Sequence, residues 1–379
     1  MHLEEKKVEY IELIYDLIFV YLVGRNNSLL HTMEGGFFSL NTFFVYVVSS
    51  LAILQIWYFS SLLINRYGSN GVSDHVCLFI NMYLLYYLAD ATRIEWFAYY
   101  VRYNVAWGLI LVNLAAQYFR LLRSKSGAAA WESRHLRYHM RLLLAQAVWV
   151  FCSIPLYGVL HFPLSWLSIP AGFLAALLTE KIDALVPVNF EHLTERVMLY
   201  VVFTFGEMIV GIADYFEDEF TFTTFYFSLM AFLTVAGLFL SYGFLYNHVI
   251  DRERTTTGTS YILIHLALVI ALNNITVALE FMPKAEVDAV AKNSFIVASF
   301  LAYYIFLFFI ERFAQERFRT QRMDFARLLL LAFTFVLLMS ACYRSGWASI
   351  AVTVAYIYLM FTVIVRHCLR AEKTNGTSP

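Results

Sequence analysis

Runs of about twenty apolar residues alternate with short polar segments along the whole chain. They occupy residues 8–30, 40–64, 75–91, 97–122, 139–159, 163–180, 194–214, 220–246, 259–280, 294–312, 325–343 and 346–366. A helix of that length crosses roughly 30 Å of hydrocarbon, where only helices and closed barrels satisfy their backbone polar groups. The pattern predicts an all-α protein, a polytopic transmembrane helical bundle of about twelve helices. The linkers are short and none is rich in glycine or serine. A single integral membrane domain over residues 1–379 is expected, without an appended soluble domain.

Composition points the same way. Apolar residues make up 60% of the chain, aromatic residues 18% and charged residues 15%, with a mean hydropathy of +0.64. A soluble domain holds about 25% charged residues, so a soluble enzyme is excluded. The formal net charge of −1 lacks the basic surplus that binds a phosphate backbone, and no nucleic-acid partner is expected. Cys77, Cys152, Cys342 and Cys368 are scattered, with no metal-ligand spacing, so neither a metal nor another cofactor is expected. The opening MHLEEKKVEY lacks a small-residue cleavage site and reads as a cytosolic tail rather than a signal peptide. With that end inside, twenty-one of the 27 lysines and arginines fall on the cytosolic side, a strong positive-inside bias. The expected location is the cell membrane, with both termini cytosolic.

Twelve windows invite a search for duplication. In the first helix Glu12 and Asp16 share a face at i, i+4, and Asn27 lies eleven residues further. In the seventh, His192 and Arg196 repeat the i, i+4 spacing, and Glu207 again lies eleven beyond. One offset of 180 relates the two sets, placing acids in one copy where the other has bases. Asn65 and Arg66 on the second helix have counterparts in Asn247 and His248, two residues out of step. The expectation is a parallel six-plus-six repeat, with halves at 1–183 and 184–379.

Charge is costly in lipid, so these groups must pair or line water. Glu12, Asp16, Asn65, Arg66, Asp74, His192, Glu195 and Arg196 are expected to form a cytosolic charge cluster. Asn27, His31, Glu207 and Asp214 continue the same faces outward as a polar intramembrane pathway. Glu207 has Phe203 and Gly211 one turn to either side, so no base of its own helix can reach it, and burial would favour its neutral, proton-titrating form. Asp90 and Arg93 are expected to pair at the outer interface, and the basic run from Arg120 to Arg141 reads as a topology signal or an anionic-lipid contact.

Several of these residues sit in segments that resemble a known family. ELIYDLIFVYLVGRNNSLLH resembles the ELFFDLVFVxxxxxLxH opening of the bacterial low temperature requirement A family, and WYFSSLLINRYGSNGVSDH its WxxYxNRFDTDD segment. HLTERVMLYVVFTFGEMIVGI is similar to its HLxERFGLFxIIxLGE motif, and YILIHLALVIALNN to its YxHLPLxxGI helix. The acidic DTDD portion is reduced here to Asp74, and Leu266 stands where the family has proline. The resemblance names a family without assigning it an activity.

Two functional classes remain in view, with a third behind them. The first is a transporter whose pathway serves a proton, cation or small solute, with the lipid bilayer as its other partner. The second is a structural or regulatory membrane protein in which the charges only staple helices. An intramembrane enzyme using His192 and Glu195 lacks a nucleophile or metal set, because HxxER is not HExxH, and no catalytic residue is assigned.

Overall fold

Residues 6–92, 96–124, 129–216, 220–284, 286–318 and 322–375 are described by the structure, a computed structural model; side chains at 96, 97, 214, 322, 323 and 373–375 fall outside the description. The described chain forms thirteen α-helices. They are α1 (Tyr10–Leu30), α2 (Leu40–Tyr67), α3 (Val72–Ala91), α4 (Trp96–Ser124), α5 (Ala130–Leu160), α6 (Ser168–Leu178), α7 (Glu180–Asp183) and α8 (Phe190–Gly211), followed by α9 (Phe222–Phe244), α10 (Thr259–Phe281), α11 (Ala289–Ile310), α12 (Arg322–Cys342) and α13 (Gly346–Asn375). Among the described residues β-structure is limited to two isolated bridges, Glu34 with Phe37 and Ile250 with Ala314.

Nine of the described helices are long and apolar enough to cross a membrane: α2 to α5 and α9 to α13. The other three windows differ for physical reasons. Helices α1 and α8 have spanning length, at 21 and 22 residues, but their charged groups lower their apolarity. Helix α6 has only 11 residues; with the 3₁₀ turn before it, the apolar segment is Leu164–Leu178. At 1.5 Å per residue that is roughly 22 Å, short of the ~30 Å core. Pro163 removes a donor just before this segment and Pro170 sits in the first turn of α6, where a missing N–H is tolerated. Helix α5 begins at Ala130 rather than 139 and carries Pro155 inside it.

The chain divides into two compact units. The first holds residues up to Thr32, Ser39–Tyr200 and Thr255–Leu263; the second holds Met33–Phe38, Val201–Arg254 and the chain from Ile264. Helices α8 and α10 thus contribute residues to both. In the first unit α4 packs along α3 and α5, and α1 along α2 and α3. In the second, α13 packs along α9 and α12, and α12 along α11.

Side chains set several helix starts. Ser39 accepts from the Thr42 amide at α2, Thr221 and Thr224 form a capping box at α9, and Asp288 accepts from Val290 and Ala291 at α11. The last turn of α2 is closed from outside. Lys6 Nζ donates to the carbonyls of Ile64 at 2.6 Å, Gly68 at 3.2 Å and Asn65 at 3.4 Å, a lysine cap on free helix-end acceptors.

Candidate functional site

In the first unit the start of α1, the end of α2, the starts of α3, α5 and α8, and the end of α4 supply polar side chains to one end of the bundle. The innermost group is Arg196, fully buried about 9 Å along α8. Its Nε donates to Asp16 Oδ2 at 3.0 Å and its Nη2 to Asp16 Oδ1 at 2.8 Å, the paired geometry that a planar guanidinium makes with a carboxylate. Trp57 Nε1 donates to the same Oδ1 at 2.8 Å, and its ring stacks on Tyr200 with centroids 4.7 Å apart. Asp16 is therefore held by three donors and walled by aromatic rings.

Glu12, one turn nearer the end, is held more loosely. Arg196 Nη1 lies 2.9 Å from Glu12 Oε2 as an ion pair, but neither atom has a partner in hydrogen-bond alignment. His192 Nε2 stands 3.3 Å from Oε1. The proton on that imidazole follows from its neighbours. Asn65 Oδ1 accepts the Asn189 amide at 2.9 Å, and Asn65 Nδ2 donates to the Asn189 carbonyl, which fixes the orientation of the amide. Asn65 Nδ2 then donates to His192 Nδ1 at 2.9 Å, leaving Nε2 as the protonated nitrogen that donates to Glu12. Asn189 also accepts from the His192 amide at 3.1 Å, capping α8 and setting the ring in place. Two carboxylates thus face one guanidinium and a neutral imidazole, with the Lys6 ammonium acting on Glu12 from the cavity side; Glu12 is the carboxylate with the looser contacts.

A cavity of about 410 Å³ has Glu12 in its lining. Lys6, Glu12, Asn65, Asp74, Arg120 and Asn189 are among its lining residues. Burial draws the Lys6 ammonium below its usual pKa. Asp74 is bound by Arg120 and by the backbone and hydroxyl of Ser69, so it shares the cavity with Glu12 but not its partners.

Arg66 belongs to a second cluster. Its Nη1 lies 2.9 Å from Asp183 Oδ1, with both side chains fully buried. His135 and His139, at i, i+4 on α5, bring their Nε2 atoms to 3.2 Å and 2.9 Å of the same oxygen. Tyr67 Oη is 2.9 Å from His135 Nδ1, and the Tyr118 ring stacks on His139. Burial opposes ionisation of Asp183, but the hydrogen bonds from His135 and His139 and the charge of Arg66 outweigh it and hold the carboxyl well below its ordinary range. The three donor atoms of His135, His139 and Asp183 lie within 4.8 Å of one another and could hold a metal ion. The sequence pattern showed the i, i+4 histidines inside a basic run, where the positive charges dominated the reading; Asp183 ends the four-residue helix α7 and carries no spacing signal.

Of the eight residues expected in one cluster, Glu12, Asp16, Asn65, His192 and Arg196 come together. Arg66 and Asp74 have other partners, and Glu195 is half-buried on α8. Asn27 is buried and His31 half-buried at the end of α1; the adjacent Asn26 donates to Ser49 and Ser50 at 3.2 Å each. In the second unit Glu207 is half-buried rather than sealed, and Glu280 is close enough to act on it electrostatically. Glu280 packs at Gly211, where an added Cβ would meet its Oε1 at 2.8 Å. The side chain of Asp214 lies outside the described residues. Asp90 pairs with Arg102 at 2.8 Å; Arg93, its expected partner, lies outside the described residues.

The helices and the buried charge network define the class: a multi-pass, all-helical membrane protein with polar groups assembled inside apolar helices. Over residues 7–362, nearly its whole length, the chain matches the family described as Bacterial low temperature requirement A protein (LtrA), and it belongs to that family. None of the curated proteins matches it significantly.

Proposed function

We propose that this LtrA-family protein is a transporter for a proton, a cation or a small solute, and that Glu12 is the carboxylate its cargo meets first. The observation that carries this reading is the cavity lined by Glu12, the carboxylate of the buried cluster with the looser contacts. A proton or cation entering there would compete with Arg196, His192 and Lys6 for the Glu12 carboxylate, so occupancy and release of the cargo would be tied to those contacts. Glu207 beside Glu280 is proposed as a second titrating group, with Asn27, His31 and Asp214 as polar pathway residues. The cavity faces the cytosol of the cell membrane, both termini are cytosolic, and the helices form a parallel six-plus-six repeat; the 180-residue offset joining Glu12 to His192 and Asp16 to Arg196 supports the repeat. No catalysis is assigned.

The test is reconstitution in liposomes with interior pH and alkali-cation reporters and a panel of small solutes. Flux should appear, and Glu12→Gln should remove most of it while the protein stays folded. Absence of any flux, or flux indifferent to both Glu12→Gln and Glu207→Gln, defeats the proposal. A second reading, a non-transporting structural or regulatory protein, draws on the Asp16–Arg196–Trp57 assembly, which has the closed geometry of a staple. That reading expects Glu12→Gln to change stability alone.

A further inference from the structure

We infer that His135, His139 and Asp183 form a binding site for a divalent transition-metal ion of the zinc class. The argument starts from how the three side chains crowd together. Three nitrogens, His135 Nε2, His139 Nε2 and Arg66 Nη1, converge on Asp183 Oδ1 at 3.2, 2.9 and 2.9 Å. That oxygen offers about two lone pairs, while Oδ2 takes the Thr179 hydroxyl at 3.3 Å. Imidazole is oversupplied for the task of satisfying one carboxylate, yet two imidazoles and a carboxylate are a regular zinc ligand set.

The distances fit the same reading. Bonds of 2.0–2.1 Å to a tetrahedral ion place ligand atoms roughly 3.3 Å apart. The contacts of 2.9 and 3.2 Å to Asp183 need open by only a few tenths of an ångström, while the two Nε2 atoms, within 4.8 Å of each other, settle to the same spacing around the ion. The i, i+4 spacing sets both rings on one face of α5, with centroids 4.4 Å apart. The surrounding groups orient them as well. Tyr67 Oη sits on His135 Nδ1; with a metal in place of the Asp183 contact at Nε2, the imidazole proton would sit on Nδ1 and Tyr67 would accept it; Tyr118 fixes the plane of His139 by stacking. Such partners of a ligating histidine settle its tautomer and direction. Tyr67 also lines the cavity, which gives an approach from solvent.

Arg66 is the competing cation. Its Nη1 is near Asp183 without hydrogen-bond alignment, and its Nη2 is anchored on the Thr257 carbonyl at 3.1 Å. It therefore stays in place when Oδ1 turns to a metal. Three protein ligands leave one position open on a four-coordinate ion, and the neighbouring guanidinium favours an anion there. Binding ties α5 to α7 and displaces the protons now shared on Asp183. Nothing in this site depends on Glu12, so its fate is independent of the transport reading.

The experiment uses tag-free full-length protein in detergent, stripped with a chelator and titrated with Zn²⁺ and, separately, with Co²⁺. One ion per chain is expected, with Co²⁺ giving the strong visible absorption of a four-coordinate nitrogen and oxygen site. His139→Asn should abolish stoichiometric binding, and Tyr67→Phe, which keeps the ligands and the fold, should weaken it about 10- to 100-fold. Wild-type protein that binds no stoichiometric ion overturns the inference. So does a double variant, His135→Asn with His139→Asn, that binds as tightly as the wild type.

Discussion

Arg196 has no solvent to fall back on. Every nitrogen of its guanidinium lies against Asp16 or Glu12, and Trp57 covers the group from one side. Removing one partner of such a pair leaves a buried charge, a loss of about 3–5 kcal/mol. Arg196→Gln and Asp16→Asn are each expected to lower thermal stability in detergent by that order. The double variant should lose clearly less than the sum of the two, because one substitution removes the reason the other is harmful. Additive losses, read from melting curves of the four proteins, would refute a direct pair. This contact was legible in the sequence, since acids at 12 and 16 and bases at 192 and 196 share one spacing and must be compensated in lipid. The His135, His139 and Asp183 set was not, because its carboxylate comes from a different part of the chain and its histidines sit among arginines that describe charge rather than geometry.

At the scale of elements, the entry to α10 depends on a single glycine. Gly258 adopts φ +79°, and an added Cβ would stand 2.6 Å from Leu193 and 3.1 Å from Val188. A residue with Cβ is strained at such a φ whatever its space. Gly258→Ala is expected to cost more than about 1 kcal/mol. Gly206→Ala, within α8 and with open space around its Cβ position, should be neutral or stabilising by a few tenths up to about 1 kcal/mol. Paired unfolding measurements check both; equal effects would show that backbone conformation at Gly258 is not the cause. Helix positions were largely legible from apolar runs, because a lipid-crossing helix declares itself by length. Helix α6 was misjudged in extent because apolarity persists through Leu164–Leu178 while prolines shorten the regular helix. The early start of α5 escaped notice because its first turns are charged.

For the whole molecule, contacts rather than chain order set the compact units. Thr255–Leu263 joins the first unit through long-range bonds that no periodicity announces: Val188 to the Thr256 carbonyl, Arg66 to that of Thr257, and Tyr58 to Thr259. Orientation, by contrast, is written in charge, and the proposed topology makes a direct prediction. A reporter active only in the cytosol, fused after the C-terminus, should be active, and one active only outside should be silent; the reverse result would invert the proposed sidedness. The lysine cap on α2 bears on how the protein should be handled. Lys6 closes the end of that helix and also borders the cavity, so any polypeptide joined to the N-terminus starts within a few residues of the opening. On the proposed transport reading, an affinity handle or fluorescent protein added there is expected to lower flux by crowding the cavity beside Lys6. The C-terminal end is the place for such additions, and a cleavable N-terminal fusion whose removal restores flux would turn the same proximity into a tool.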